Sequence, residues 1–344
     1  MYIVLVGPSG CRKGTAMGPG FSMLRGLGIK LAAEAITREA LIRELKTCTN
    51  TQASGDQMFM HSSLTIFSQE LTVFLGYSNM QLMADLCDWF DCRDTWTYRT
   101  KSQGTDEITG VWVNLFGATT PELIQTTLPR DAIGGGLTAR MIMVYAARKG
   151  KTISIPHLTP EEKELGLVLS ADLEKINMLS GEFKVSPDFI DYWIDWYPMQ
   201  DKTPPFEDTR FTGYIERRGM HTLKLSMIVN ASRTSDMVMT SYDLQRAIQL
   251  LSDVESKMPH VFSGFGKSPT SDILVQVMHF CADAHVCTLS DVMNRFYQDA
   301  DKRTMEGIIS TLESMNYIRI THTATDRQIR YIKGEEREQV RPNP

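Results

Sequence analysis

The sequence predicts an α/β protein with a doubly wound parallel sheet, followed by an all-α region and a smaller C-terminal module. Short, continuous apolar runs, typical of strands buried on both faces, alternate with helical stretches over about the first 150 residues. The first run leads directly into a glycine-rich turn, and from about residue 159 the pattern is almost wholly helical. A chain of 344 residues is long enough for two or three domains.

The composition narrows the class of protein. Hydrophobic residues make up 42% of the chain and charged residues 22%, so sizeable cores can be buried. Because the net charge is −5, any contact with nucleic acid must come from local basic patches. The six cysteines form no Cys-x-x-Cys pair, and no run reaches the roughly 18 apolar residues of a membrane span. We therefore expect a cytoplasmic protein with reduced thiols and no membrane partner.

The elements of the first domain follow from the alternation of apolar and polar runs. A first buried strand covers 2–6, and the helix that begins near Thr15 is expected to be interrupted at Gly18-Pro19-Gly20. The polar and basic segment 92–109 is expected to form a hairpin or a long loop with Gly104 at its tip. Further strands are predicted at 29–36, 64–67, 111–117 and 141–146, and helices at 38–46 and 79–90.

Capping signals locate the later elements. Thr159 and Glu162 form a capping box with Pro160 at the first helical position, and Ser186-Pro187 repeats the signal. Near the C-terminus, three helices are followed by two short strands, the order of a winged helix. The predicted domains are an α/β core at 1–150, a helical domain at 151–260, a winged helix at 270–334 and a disordered tail at 335–344.

The loop after the first strand carries the clearest functional signal. A glycine-rich turn between a buried strand and a helix is the context of a P-loop, in which backbone N–H groups and a lysine surround phosphates. The match is imperfect, because Arg12 replaces a glycine and Gly14 replaces the hydroxyl residue that binds Mg²⁺, which leaves Thr15 as the predicted metal ligand. The alternative is a turn that binds no nucleotide. The predicted nucleotide-binding residues are Gly7, Pro8, Ser9, Gly10, Cys11, Arg12, Lys13, Gly14 and Thr15.

Three later residues are predicted to be catalytic. Glu70 follows a buried strand and can polarise an attacking water, although the usual aspartate before it is absent, with Gln69 or Ser68 in its place. Thr119, at another strand end, can sense a terminal phosphate; the alternative is that Thr119 or Thr120 caps the next helix. Arg140 is a planar, permanently charged group suited to stabilise a transferring phosphoryl group, and its alternative role is a surface salt bridge.

Taken together, these segments resemble the ATPase part of phage and mobile-element primase-helicase proteins, which are distant AAA+ relatives of the MCM and superfamily 3 helicases. The resemblance covers roughly residues 2–257, and Thr-Ala-Arg-Met at 138–141 is similar to the MCM motif that carries an arginine finger. Its segments are Gly-Pro-Ser-Gly-x-x-Lys at 7–13, Glu-Leu-Thr-Val-Phe-Leu-Gly at 70–76, Trp-x-Tyr-Arg-Thr-Lys at 96–101, Gly-Ala-Thr-Thr-Pro at 117–121, Gly-Gly-Gly-Leu-Thr-Ala-Arg at 134–140 and His-Thr-Leu-Lys-Leu at 221–225.

The resemblance implies a P-loop NTPase core with ATP and Mg²⁺ as ligands, a helical lid, and a homo-oligomeric ring, a hexamer in related helicases. Within that ring Arg140 would reach the neighbouring subunit's site, and Arg217 or Arg218 would act from the lid as a second sensor. DNA is the implied substrate and a primase domain or protein a further candidate partner. A phage-encoded protein would work in the cytoplasm of its bacterial host.

Candidate DNA contacts fall in two regions. In the segment 92–109, the cations Arg99 and Lys101 stand beside Trp96 and Tyr98, an interleaving that suits single-stranded DNA, and related helicases line the central pore with this region. The alternative is an ordinary solvated loop with packed aromatic rings. Winged helices hold duplex DNA through phosphates but also dock proteins. The candidate phosphate contacts in this module are Lys302, Arg303, Arg327 and Arg330.

These features together predict an ATP-dependent DNA helicase or translocase. A non-hydrolysing nucleotide switch, scaffold or helicase loader that assembles on DNA is the main alternative, because the metal-binding positions are altered. An ATPase for DNA packaging or transposition is the third possibility.

Overall fold

A computed structural model divides the chain into two compact units, Met1–Gly264 and Phe265–Pro344. The predicted DNA contact at Lys101 and the predicted disordered tail at 335–344 lie outside the described residues. The structure describes residues 1–54, 57–76, 79–100, 104–128, 134–155, 157–262, 269–322 and 326–332.

The first unit is built on a five-stranded sheet in the order β2-β3-β6-β1-β7. The last four of these strands run parallel to one another, and β2 is antiparallel to β3, with which it forms a hairpin. The predicted α/β class with a mainly parallel sheet is therefore confirmed. The strands are β1 (Tyr2–Val6), β2 (Thr49–Ser54), β3 (Gln57–Ser68), β4 (Thr95–Thr100), β5 (Gly104–Thr109), β6 (Val111–Thr119), β7 (Met141–Tyr145), β8 (Lys184–Val185) and β9 (Val238–Met239).

Helices cover both faces of this sheet. On one face, Met17 packs with Phe67 of β3 and Ala118 of β6. On the other face, the Tyr2 ring meets the Phe90 ring at 5.2 Å and the Tyr2 hydroxyl donates to a helix carbonyl. The helices are α1 (Lys13–Gly26), α2 (Arg38–Thr47), α3 (Leu71–Leu75), α4 (Met80–Phe90), α5 (Pro121–Thr127), α6 (Pro160–Asn177), α7 (Pro187–Lys202), α8 (Thr212–Arg233) and α9 (Ser241–Glu255).

Two predictions about local structure are wrong. Helix α1 continues through Gly18-Pro19-Gly20, because the helix buries Met17 against the sheet while Pro19 is exposed, and this packing offsets the hydrogen bond that proline removes. The segment 29–36 forms no strand. Only Leu31 pairs with Thr65, in a single parallel bridge, and β2 occupies the rest of the free edge of β3.

The helical part of the first unit contains the predicted capping box. The Thr159 N–H donates to the Glu162 carboxylate at 2.9 Å, and the Glu162 N–H donates to the Thr159 hydroxyl at 3.2 Å. Helices α8 and α9 pack against each other, and β8 and β9 add a short parallel ladder that the sequence did not predict. Strand β7 also contacts α9, so this helix adjoins the sheet.

In its described residues, the second unit has three helices and a three-stranded antiparallel sheet in the order β10-β12-β11. Val277, Ile308, Leu312 and Ile329 lie in its core. The order of three helices and a final pair of strands matches the sequence pattern, and β10 is an additional strand. The elements are α10 (Pro269–Ala284), β10 (Val286–Thr288), α11 (Leu289–Phe296), α12 (Lys302–Ser314), β11 (Ile318–His322) and β12 (Arg327–Tyr331).

Candidate phosphate-binding site

The predicted phosphate loop lies at the point in the sheet at which the order of the strands reverses. Residues 7–12 join the carboxyl end of β1 to the first turn of α1. Strand β1 has β6 on one side and β7 on the other: the chain goes from β1 to the β2–β3 hairpin, returns to β6 between β3 and β1, and then crosses β1 to reach β7. In open α/β sheets, ligands bind outside the carboxyl ends of the strands at such a switch point.

Two glycines give the loop its shape. A side chain at Gly7 would meet the Ala146 carbonyl oxygen at 2.4 Å, so only glycine allows the loop to pass beside the end of β7. The Gly7 N–H also donates to the Thr119 carbonyl at 3.3 Å. Gly10 has a φ of +83°, a left-handed conformation that L side chains rarely adopt. The loop is thus fixed by both neighbouring strands.

Arg12 shows why the usual motif has a glycine at its position. Its φ is +63° and its ψ +36°, in the left-handed region, where a side chain costs about 1–2 kcal/mol. The chain therefore keeps the backbone shape of the loop without the residue that adopts it most easily.

Lys13 lies over the loop that precedes it. Its Nζ donates to the Gly7 carbonyl at 2.6 Å and to the Pro8 carbonyl at 3.1 Å. The ammonium group is thus held above the loop by two carbonyl oxygens, each of which an anionic oxygen can replace. A charged acceptor makes the stronger bond to an ammonium group, so this arrangement suits the binding of phosphate.

The positions that would hold Mg²⁺ do not fit that ion. Gly14 has no side-chain oxygen, and a Cβ built on it would lie 3.1 Å from the Gln69 amide oxygen. Thr15, the predicted ligand, is exposed and turned about 100° around the helix from Gly14. Among the described residues, no group of three or more histidine, cysteine, aspartate or glutamate side chains could hold a metal ion.

Glu70 stands at the same edge of the sheet as the loop. It follows β3 and precedes α3, whose first N–H groups bond to its carbonyl, and its side chain is exposed. The register joins Ser68 to Gly117 and Gly117 to Val4, so Glu70 is level with the end of β1. Two strand spacings separate them, roughly 10 Å.

The two threonines after β6 have different surroundings. Thr119 is buried and pairs with Val6, the last residue of β1, so it lies directly beside the start of the loop. The Thr120 hydroxyl accepts a hydrogen bond from the Leu123 N–H at 3.3 Å and caps α5. Capping therefore falls to Thr120, while Thr119 remains next to the phosphate loop.

Arg140 lies at the opposite end of the parallel strands, beside their amino termini. It precedes β7, whose first residue pairs with Tyr2 at the start of β1. The Arg140 guanidinium donates to Asp91 at 3.0 Å and to the Gly136 carbonyl at 3.1 Å, and it is 8% exposed. The predicted salt-bridge alternative is therefore present in a largely buried form. From this end of the strands, Arg140 cannot reach the loop of its own chain.

The structure separates the two candidate sensors of the helical region. Arg218 is buried and forms two bonds to the Glu255 carboxylate, at 2.7 and 2.9 Å, which tie α8 to α9. The Tyr214 hydroxyl donates to the same carboxylate at 3.0 Å. Arg217 is half-buried, and among the described contacts it has no ion pair. Arg218 is thus a structural residue, and Arg217 is the one left available to a ligand.

The hairpin of β4 and β5 carries the first set of candidate DNA contacts. Trp96 is buried against Trp89, and the Tyr98 ring is stacked on Trp96 at 6.2 Å. The Arg38 guanidinium covers Tyr98 at 4.9 Å. Arg99 is exposed. The aromatic rings are therefore engaged within the chain, as the loop alternative expected, and Arg99 is the described residue of this set that faces solvent.

A cavity beside the loop was not predicted from the sequence. It has a volume of about 900 Å³ and adjoins the loop through the Gly7–Ala146 contact. The Tyr145 and His260 rings lie 5.5 Å apart within its lining. The basic run that follows β7 is the sequence feature that could have indicated this cavity. Its lining residues are Tyr145, Ala146, Ala147, Arg148, Lys149, Gly150, Thr152, Lys257 and His260.

The second unit contains a pair of basic residues, Arg319 and Arg330, of which only Arg330 was predicted from the sequence. Arg319 of β11 and Arg330 of β12 are direct cross-strand partners, and both are exposed. Like charges placed directly opposite each other destabilise a sheet, so the pair favours an anionic ligand. Arg319 was missed because its alignment with Arg330 depends on the strand register. The other candidates, Lys302, Arg303 and Arg327, are also exposed.

No family model matches the chain, and no curated protein matches it. Among the described residues, none of the helices combines the length and apolar character needed to cross a membrane.

Proposed function

We propose that the first unit is a P-loop NTPase core and that the protein is an ATP-dependent DNA helicase or translocase. The observation that carries this proposal is the position of Lys13, whose ammonium group is held over a glycine-shaped loop at the switch point of the sheet. The helical part of the unit would be the lid, and the second unit would be a winged helix.

The loop and the neighbouring cavity together suit a nucleotide. The loop N–H groups and Lys13 would bind the phosphates, because the N-terminal end of α1 points at the same place. The cavity offers cations from Arg148, Lys149 and Lys257 and two aromatic rings, and none of the described residues that line it is acidic. An anionic ligand with a planar base fits these groups.

Hydrolysis would use residues from both ends of the parallel strands. Glu70 would orient the attacking water, and Thr119 would sense the terminal phosphate from beside the loop. Because Arg140 lies at the far end, its part in phosphoryl transfer would be played in the site of an adjacent subunit. A homo-oligomeric ring, with a hexamer as the expected size, brings the two ends together.

DNA would be held at two places. Arg99 on the hairpin would contact the backbone of a single strand, and Arg319 and Arg330 would contact phosphates of a duplex. The net charge of −5 restricts such contacts to these local patches.

The first test is ATP affinity of the full chain, measured by calorimetry for the wild type and for Lys13→Met. We expect the substitution to abolish binding. Lys46→Met is the matched control, because Lys46 is exposed on α2 and pairs with Asp106 outside the proposed site. Failure of the wild type to bind ATP would refute the proposal, as would equal binding by Lys13→Met.

The second test concerns the motor activity. Purified wild-type protein should hydrolyse ATP faster with single-stranded DNA, lose hydrolysis on Glu70→Gln, and increase in mass in solution with a nucleotide analogue. Strand separation of a forked duplex would then identify a helicase, and translocation without separation would identify a packaging-type ATPase.

A non-hydrolysing nucleotide switch that assembles on DNA is the second candidate function. The Gly14–Gln69 contact favours it, because both residues replace side chains that usually hold the metal. ATP binding and nucleotide-dependent assembly without hydrolysis, in the presence and absence of DNA, would identify this function.

A further inference from the structure

Two departures from the P-loop pattern lie in contact with each other. Gly14 stands at the motif's hydroxyl position on α1, and Gln69 stands at the acidic position after β3, 55 residues away in the chain. A Cβ at residue 14 would meet the Gln69 amide oxygen at 3.1 Å and its Cδ at 3.7 Å. Because Gly14 has no side chain, the Gln69 amide has room to approach the first turn of α1.

The strand geometry explains how this contact arises. Side chains alternate across a strand, and Phe67 faces α1, where it packs with Met17. Two residues further along, Gln69 leaves the strand on the same side and reaches the first turn of α1. Ser68 faces the other way and is buried. In the usual P-loop, a hydroxyl and a carboxylate hold Mg²⁺ on this side of the loop. Here the neutral amide of Gln69 lies against the backbone of Gly14 instead.

Among the described residues, neither Thr15 nor Glu70 supplies a replacement for the missing ligands. Thr15 is the nearest hydroxyl, but consecutive helix positions are about 100° apart, so it faces away from Gln69. Glu70 follows Gln69, its carbonyl accepts from the Val73 and Phe74 N–H groups of α3, and its side chain is exposed. Mg²⁺ prefers carboxylates and water in octahedral geometry, so one amide oxygen is a poor site.

We infer that the affinity of this site for a nucleoside triphosphate does not depend on Mg²⁺. The inference rests on the proposed nucleotide binding and concerns how the site recognises the ligand. The phosphates are bound by the loop N–H groups and Lys13, and Gln69 fills the place of the metal ligands. Free ATP and its magnesium complex are therefore bound equally well.

The experiment compares ATP affinity of the full chain by calorimetry in excess magnesium chloride and in EDTA. For the wild type we expect the two dissociation constants to agree within about twofold, less than the contribution of one direct ion contact. Lys13→Met, in both conditions, establishes that the measured binding occurs at the loop.

Four variants sharpen the comparison. The double substitution Gly14→Ser with Gln69→Asp restores both ligands, and we expect ATP to bind at least about tenfold more tightly with magnesium than without it. Gly14→Ser alone places its Cβ against the Gln69 amide, so it should weaken binding equally in both conditions. Thr15→Ala and Gln69→Ala should leave the wild-type ratio of the two constants unchanged.

The outcomes separate this inference from the function on which it rests. A wild-type affinity that rises about tenfold with magnesium overturns the inference and leaves nucleotide binding intact. Loss of that rise in Thr15→Ala or Gln69→Ala would then identify the ligand. Absence of ATP binding in both conditions would overturn the proposed function itself.

Discussion

Arg140 and Asp91 form an ion pair of 3.0 Å at the end of the parallel strands opposite the phosphate loop. The arginine of this pair is largely buried, whereas the Asp91 side chain is 32% exposed. The Arg140 Nε is buried without a hydrogen-bond partner. Asp91 therefore fixes a largely buried guanidinium through a carboxylate that is itself partly open to solvent.

Replacement of Arg140 by alanine should lower ATP hydrolysis by at least about 10³-fold, the effect of removing an arginine finger, without changing ATP affinity. Turnover and the ATP dissociation constant are the measurements. An equimolar mixture of Arg140→Ala and Lys13→Met should recover activity, because some interfaces of a mixed ring receive both residues. A mixture as inactive as its components would show that Arg140 does not act between subunits.

The buried pair of Arg218 and Glu255 should matter for stability. Arg218→Met leaves a carboxylate that is 1% exposed without its cation, so the free energy of unfolding should fall by about 3–5 kcal/mol. Arg217→Met, one residue earlier and half-buried, should change it by less than about 0.5 kcal/mol. Urea denaturation measures both. Equal losses in the two variants would contradict the structural role of Arg218.

His221 should make the stability of the first unit depend on pH. Its side chain is fully buried, its Nε2 lies 3.1 Å from the Ala139 carbonyl, and its Nδ1 has no hydrogen-bond partner. Burial is the main cause that lowers the pKa of His221 from 6.5 to about 4; the contact with the Ala139 carbonyl opposes it, and the nearby cations Lys224 and Arg217 contribute to the lowering. Between these two values the unfolded chain binds a proton that the folded chain does not, so stability falls as the pH falls.

The expected loss in the free energy of unfolding is about 2 kcal/mol between pH 7 and pH 5. His221→Gln should remove most of this dependence, measured as the difference between urea denaturation curves at the two pH values. His157→Gln is the control, because His157 is exposed and should leave the dependence unchanged. An unaltered pH dependence in His221→Gln would assign it to other groups.

Reversal of charge at Arg319 and Arg330 should weaken DNA binding through the phosphates. Each phosphate contact contributes about 0.9 to the slope of log affinity against log salt, so the double change to glutamate should reduce that slope by about two. Arg25→Glu with Arg43→Glu makes the same change of charge on α1 and α2 as a control. Titration of labelled duplex over a range of salt concentrations gives the slopes, and identical slopes for both double variants would exclude this pair as a DNA contact.

The fold was predictable where local sequence carries the information. The buried strand at 2–6 and the capping box of Thr159 and Glu162 depend on residues close together in the chain, and both are observed. The break predicted at Pro19 was wrong because packing of Met17 against the sheet outweighs the local preference of proline. Tertiary contact, not propensity, decided that element.

The candidate site was predictable in part for the same reason. The loop 7–13 was identified because glycine and lysine spacing encodes a backbone shape. The pairings of Arg140 with Asp91 and of Arg218 with Glu255 span 49 and 37 residues, so no local pattern indicates them. The contact between Gly14 and Gln69 depends likewise on how β3 meets α1.

The passage of Gly7 beside Ala146 has a mechanical consequence. The Ala146 N–H donates to the Val6 carbonyl at 3.0 Å and the Ala146 carbonyl abuts Gly7, so this one residue is held against the two residues at which β1 passes into the turn. Ala146 directly follows β7, and β7 contacts α9 of the helical region. Widening of the turn around an incoming ligand would therefore displace Ala146 and, through β7, the helix that packs on that strand.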